Sequence, residues 1–99
     1  MSRNLTQKEF DEIATLSRRC IDAYKQADVK NEISRLKFLA STLDIDPYFR
    51  GVLSELASYS QEAAKQKPHD VKDRWVNAAM QSLYKLKSSG IEQEGNDNV

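Results

Sequence analysis

The chain has 99 residues, with 15 Lys and Arg against 15 Asp and Glu, so its formal net charge is zero. A chain of this length forms one domain with a single modest core, and zero net charge argues against a general polyanion binder. The single cysteine, Cys20, excludes an internal disulfide. No signal-peptide pattern and no run of about 18 apolar residues occurs, so we expect a cytoplasmic protein without a membrane span.

The first predicted helix begins after Thr6. Thr6 and Glu9 have the spacing of a capping box, and Leu5 with Phe10 has the spacing of a hydrophobic staple. Apolar residues then recur every three or four positions, which predicts a helix that ends near Gln26.

A second helical pattern runs from Val29 to Leu43 but is offset from the first. Asp28 is a candidate cap for a separate second helix. Because no Gly or Pro interrupts the chain before Pro47, one long bent helix competes with two helices, and we favour two.

Asp46 followed by Pro47 is a stronger start signal, because Asp accepts from free N–H groups and Pro at the first helical position loses no hydrogen bond. The third helix is expected to end near Lys67, before Pro68. Gly51 in its first turns suggests a close approach by a neighbouring helix.

A fourth helix is predicted from a cap at Asp70 to Gly90, with a wide apolar face. The sequence therefore predicts an all-α fold, a small bundle of three to four helices in a single domain over residues 1–90. Residues 91–99 are acidic and nearly free of apolar side chains, which predicts a disordered acidic C-terminal tail.

The charges are unevenly distributed. Residues 65–90 carry six basic against two acidic residues, whereas residues 91–99 carry three acidic residues and no basic one. The basic residues are either a solvated helix face or a docking surface for an acidic partner or a nucleic-acid backbone.

Candidate catalytic groups are few. His69 is predicted in an exposed loop, and Cys20 lies on the apolar face of the first helix, where a core role is expected. No glycine-rich phosphate loop and no metal-ligand spacing is present. We therefore expect neither enzymatic activity nor a cofactor or metal.

Aromatic and Met side chains exceed what so small a core is expected to enclose, which is typical of a protein-docking patch. Phe49 and Trp75 are expected in the core. For Tyr48, Tyr59 and Tyr84, whose hydroxyl groups need water or a partner, core and surface remain open alternatives.

The run Lys65, Gln66, Lys67, Pro68, His69, followed by a helix that carries Trp75, resembles the phage anti-RecBCD accessory recombination proteins of Salmonella phages. The likeness covers most of the chain in length and in order of features. It implies a non-enzymatic protein that docks on the RecC subunit of the host RecBCD helicase-nuclease. Such docking modulates or inhibits the processing of double-stranded DNA ends to favour phage recombination.

The resemblance also implies recruitment of a host prolyl isomerase through Pro68. On the resemblance and on residue type, the expected partner-binding residues are Lys65, Lys67, Pro68, His69, Arg74, Trp75 and Tyr84. Helix termination alone also explains Pro68. The alternative function is a small helical DNA-binding regulator that uses the basic helix over residues 71–88, and direct DNA contact stays open.

Overall fold

The computed structural model describes residues 3–89, and these form a bundle of four α-helices. The helices are α1 (Gln7–Asp22), α2 (Lys30–Thr42), α3 (Pro47–Ala64) and α4 (His69–Ser89), with a 3-10 helix (Gln26–Val29) before α2. The prediction of a small all-α bundle is confirmed. The predicted disordered tail, residues 91–99, lies outside the described residues.

The start of α1 forms as predicted. The Glu9 amide donates to Thr6 Oγ1 at 3.1 Å and the Thr6 amide donates to Glu9 Oε1 at 2.9 Å, which completes the capping box. Leu5 and Phe10 are both buried. The helix ends at Asp22, before the predicted Gln26, because the backbone becomes extended at Ala23.

Two separate helices follow one another here, as favoured from the sequence, rather than one bent helix. Asp28, however, lies within the 3-10 helix and does not cap α2. Val29 occupies the cap position without a side-chain hydrogen bond to the helix.

The start of α3 follows the local rule, whereas the end of α3 and the start of α4 differ from the prediction. Asp46 Oδ1 accepts from the Tyr48 amide at 2.9 Å, and Pro47 is the first helical residue, as predicted. The helix ends at Ala64 rather than near Lys67. The fourth helix begins at His69, so Asp70 lies in its first turn instead of capping it.

The core lies around α3, which packs against the other three helices. The largest completely buried side chains include residues of all four helices and of the segment before α1; they are Leu5, Ile13, Leu36, Leu53, Leu56 and Leu86. Between α1 and α3 the buried hydroxyl oxygens of Ser17 and Ser60 are 2.9 Å apart. Small side chains let α1 and α3 approach closely at this point.

The chain before α1 is tied to the α2–α3 connection. The Asp46 amide donates to the Arg3 carbonyl at 2.9 Å, and Arg3 forms an isolated parallel bridge with Ile45. The prediction that a neighbouring helix approaches Gly51 closely is wrong, because a Cβ added there would meet no atom of a neighbouring element within 4 Å.

Candidate partner-binding surface

The connection between α3 and α4 carries the first of the predicted binding residues. Lys65 Nζ lies 3.0 Å from Glu62 Oε2, and Lys67 Nζ lies 3.4 Å from Glu62 Oε1. The hydrogen bond from Lys65, with a further bond from Lys67, lowers the pKa of the Glu62 carboxyl. Glu62 therefore orients both ammonium groups at the end of α3.

Pro68 lies between the two helices and is exposed; His69, predicted in a loop, is instead the exposed first residue of α4. The His69 side chain is 90% exposed, and its Nδ1 lies 3.0 Å from Asp73 Oδ2 one turn further along α4. The Pro68 carbonyl accepts from the Lys72 amide at 3.0 Å. The proline ring is thus presented to solvent on a backbone that is hydrogen-bonded into the first turn of α4.

Lys72 is not part of the exposed basic surface. The residue is 8% exposed, and its Nζ donates to the carbonyls of Ala23 and Ala63 at the C-terminal ends of α1 and α3. The same Nζ lies 4.8 Å from the centroid of the Tyr24 ring. Burial lowers the pKa of this ammonium, although the Asp22 carboxylate opposes the shift. Lys72 is one of the six basic residues of 65–90, and neither the solvated-face nor the docking-surface interpretation of that group holds for it.

Arg74 and Trp75 occupy the next positions of α4. Arg74 is exposed, and Trp75 is half-buried with its ring centroid 6.0 Å from that of Tyr59 on α3. Trp75 was expected in the core and is instead only half-buried, against Tyr59, which packs on the core. Phe49 also lies at the core's edge, packed against buried residues.

Tyr84 is the most exposed of the large hydrophobic side chains, at 69%, and Met80 one turn before it is 45% exposed. Ten residues separate Arg74 from Tyr84, which corresponds to about 15 Å along the helix axis. The predicted binding residues therefore form two groups. Residues 65–75 share the α3–α4 junction, whereas Tyr84 stands apart, beside α1.

Phe38 is an exposed aromatic residue that the sequence analysis did not single out as a binding candidate. Phe38 on α2 is 54% exposed, and the Arg35 guanidinium lies 5.5 Å from its ring centroid. Arg35 in turn pairs with Glu12 of α1 at 2.7 Å. Phe38 falls outside the Ile33–Leu36–Leu39 spacing of buried residues, and this offset was the available sequence signal.

The candidate catalytic residues lie apart from each other. His69 is exposed at the start of α4, and Cys20 is completely buried in α1. Burial, together with the nearby Glu32 carboxylate, raises the pKa of the Cys20 thiol to about 11. This placement favours a core role for Cys20.

Within residues 3–89, no three His, Cys, Asp or Glu side chains are grouped so as to hold a metal ion. None of the helices in this same range is long and apolar enough to cross a membrane. Comparison of the chain with protein-family models, with curated proteins and with solved structures finds no match.

Proposed function

We propose that this chain is a phage-encoded binding protein that docks on the host RecBCD helicase-nuclease through RecC and modulates its processing of double-stranded DNA ends. It acts stoichiometrically rather than as an enzyme. The same proposal gives Pro68 a second partner, a host prolyl isomerase. Both parts follow the resemblance carried by residues 65–69 and the Trp75-bearing helix.

The observation that carries the proposal is the exposure of Pro68 on a short connection held at both sides. Lys65 and Lys67 are oriented by Glu62 before it, and the Lys72 amide bonds its carbonyl after it. An X-Pro bond is the bond on which a prolyl isomerase acts, and an exposed segment between two helices is accessible to an enzyme cleft.

The exposed side chains of α4 supply further support. Arg74, Trp75 and Tyr84 belong to the residue types that most often anchor protein interfaces, and all three retain solvent-accessible surface. Arg74 and Trp75 lie beside the Pro68 connection, whereas Tyr84 offers a separate anchor near α1.

DNA binding by α4 has weaker support. Lys72 of α4 is directed into the bundle, and Lys65 and Lys67, which precede α4, are paired with Glu62, so these three cations are less available to phosphates. Duplex binding depends on exposed cations and weakens steeply as salt rises.

The test is equilibrium binding of the full chain to purified RecBCD and to duplex DNA at several salt concentrations. We expect one-to-one binding to RecBCD without DNA, binding to isolated RecC, and altered degradation of linear duplex. If the chain binds duplex in a salt-dependent way and does not bind RecBCD, the DNA-binding alternative replaces the proposal.

The isomerase arm uses Pro68→Ala, with Pro47→Ala as the matched control because Pro47 is also exposed but begins α3. Capture of the isomerase by the wild type and by Pro47→Ala, but not by Pro68→Ala, is the expected result. Equal capture by both variants would show that Pro68 is not the contact.

A further inference from the structure

A groove separates α1 from α4 on the side of the bundle that carries Tyr84. Of the α-helix pairs that touch within residues 3–89, α1 and α4 have the least extensive contact. The groove is lined by residues of both helices, among them Phe10 and Arg18 of α1 and Met80, Leu83, Tyr84 and Lys87 of α4.

The groove combines an apolar floor with basic flanks. Phe10 and Leu83 form the buried floor. Met80 and Tyr84 border it, with about half or more of their surface exposed. Solvent-exposed apolar surface beside a buried floor is typical of a docking site.

The charged side chains among the described residues that line the groove are basic. Arg18 and Lys87 line it and make no ion pair with any residue in the described part of the chain. No carboxylate is among the described residues that line it, and the sequence from Arg74 to Ser89 contains no Asp or Glu.

We propose that this α1–α4 groove binds an acidic amphipathic helix of RecBCD, an inference that rests on the proposed function. Apolar side chains of that helix, one turn apart, would contact the floor between Met80 and Tyr84. Its carboxylates would face Arg18 and Lys87, because opposite charges at the rim of an interface favour association and fix orientation.

The dimensions suit such a ligand. Phe10 and Arg18 are eight residues apart on α1, which corresponds to about 12 Å along the groove, or roughly two helical turns. Two turns present apolar anchors at positions i, i+3 or i+4, and i+7.

Two rival occupants share part of this chemistry. Residues 91–99 of the chain itself carry three acidic and no basic residues, and a second copy of the chain presents exposed aromatic side chains. Either occupant, found in the groove of the RecBCD-bound protein, would overturn the inference.

The first test compares the affinities of full-length variants for purified RecBCD. Tyr84→Ala and the double reversal Arg18→Glu/Lys87→Glu should each weaken binding by about tenfold or more. The matched control is Lys30→Glu/Lys37→Glu on α2, which makes the same charge change on exposed residues of a helix not in contact with α4 and should leave affinity unchanged. Circular dichroism checks that each variant keeps its helices.

Failure of the inference and failure of the proposed function are distinguishable. If the wild type binds RecBCD and the groove variants bind equally well, the groove assignment is wrong while the proposed function stands. If the wild type does not bind RecBCD, both are wrong.

The second test places a photo-reactive amino acid at Met80 and maps its cross-links in the RecBCD complex by mass spectrometry. A cross-link to a carboxylate-rich helical segment of RecBCD supports the inference. Cross-links confined to residues 91–99, to a second copy, or to a RecBCD segment without carboxylates would overturn it.

Discussion

The ammonium of Lys72 donates to the carbonyl of Ala23 at 2.6 Å, which joins the first turn of α4 to the C-terminal end of α1. A second hydrogen bond reaches the carbonyl of Ala63 near the end of α3. Carbonyls at helix ends lack partners within the helix, and a cation there also faces the negative ends of two helix dipoles. One side chain thus connects three helices beside Pro68.

Lys72→Met is therefore expected to destabilise the fold. The variant keeps an aliphatic side chain but leaves two helix-end carbonyls without this donor, which should lower the free energy of unfolding by about 2 kcal/mol. Urea denaturation measures the change. Lys37→Met, at an exposed position of α2, is the control and should stay within about 0.5 kcal/mol of wild type. A Lys72→Met variant as stable as this control would contradict the assigned role.

The position of Lys72 also shows where sequence reasoning stops. The capping box of Thr6 and Glu9 was predictable because both partners are three residues apart and the geometry is local. The acceptors of Lys72 are 49 and 9 residues away, and their positions depend on how α1 and α3 pack. A lysine on a helix is normally solvated, so the sequence indicated an exposed Lys72 rather than a buried one.

The candidate surface likewise has one part that the sequence predicted and one part that it did not. The exposure of Pro68 follows from its place between two helices, and the sequence predicted it. The groove that contains Arg18 and Tyr84 is formed by two helices from opposite ends of the chain. No pattern within either helix indicates that pairing, which is why Arg18 was not predicted as a site residue and Lys87 was considered only as one of the basic residues of 65–90.

Gly51→Ala should stabilise the protein. Gly51 lies inside α3, is exposed, and has no atom within 4 Å of an added Cβ. Alanine reduces the conformational freedom of the unfolded chain, so the free energy of unfolding should rise by about 0.5 to 1 kcal/mol. Thermal and urea denaturation measure it, and Ser58→Gly on the same helix should shift stability the opposite way. A loss of stability in Gly51→Ala would mean that the site is more crowded than the structure shows.

The buried hydroxyls of Ser17 and Ser60 should behave as a coupled pair, because their oxygens are 2.9 Å apart and neither residue is exposed. Replacing one by alanine leaves the other unsatisfied, at a cost of about 1 to 2 kcal/mol. The double alanine variant removes both polar groups and should cost less than the two single changes added together. Urea denaturation of all four proteins gives the coupling energy. Simple additivity would show that the two hydroxyls do not depend on each other.

Protonation of Glu9 should lower the free energy of unfolding in acid. The hydrogen bonds from Arg3, opposed in part by burial, lower the pKa of the Glu9 carboxyl from its ordinary 4.5 to about 2. Because the folded pKa is the lower one, the stabilisation is present above pH 4.5 and is lost as the pH falls from 4.5 towards 2. Arg3 is partly exposed, so we expect only about 1 kcal/mol after solvent screening.

Urea denaturation of Glu9→Gln across this pH range tests the prediction. The variant should be less stable than wild type at neutral pH, and the difference should shrink as the pH falls towards 2, where about half of the wild-type carboxyl is protonated. Glu55→Gln, at an exposed position of α3, is the control and should differ little from wild type throughout. A difference between Glu9→Gln and wild type that stays constant with pH would exclude titration of Glu9 as its cause.

The thiol of Cys20 should be inert in the folded protein. Its side chain is completely buried, and burial, with a contribution from Glu32, raises its pKa to about 11. The thiolate is the reactive form, so at pH 8 about one thiol in a thousand is ionised, and that fraction is shielded from reagent. Labelling with an aromatic disulfide should therefore be slow in buffer and reach one thiol per chain in denaturing urea.

The pH dependence of this labelling tests the raised pKa of Cys20 together with its shielding from the reagent. Because the folded pKa is raised, the protonated thiol favours the native state up to about pH 9, and that stability is lost as the pH rises towards 11. Labelling should accelerate over this interval together with unfolding, measured by circular dichroism on the same samples. Rapid labelling at pH 8 with the helices intact would contradict the burial of Cys20 and would restore it as a candidate nucleophile.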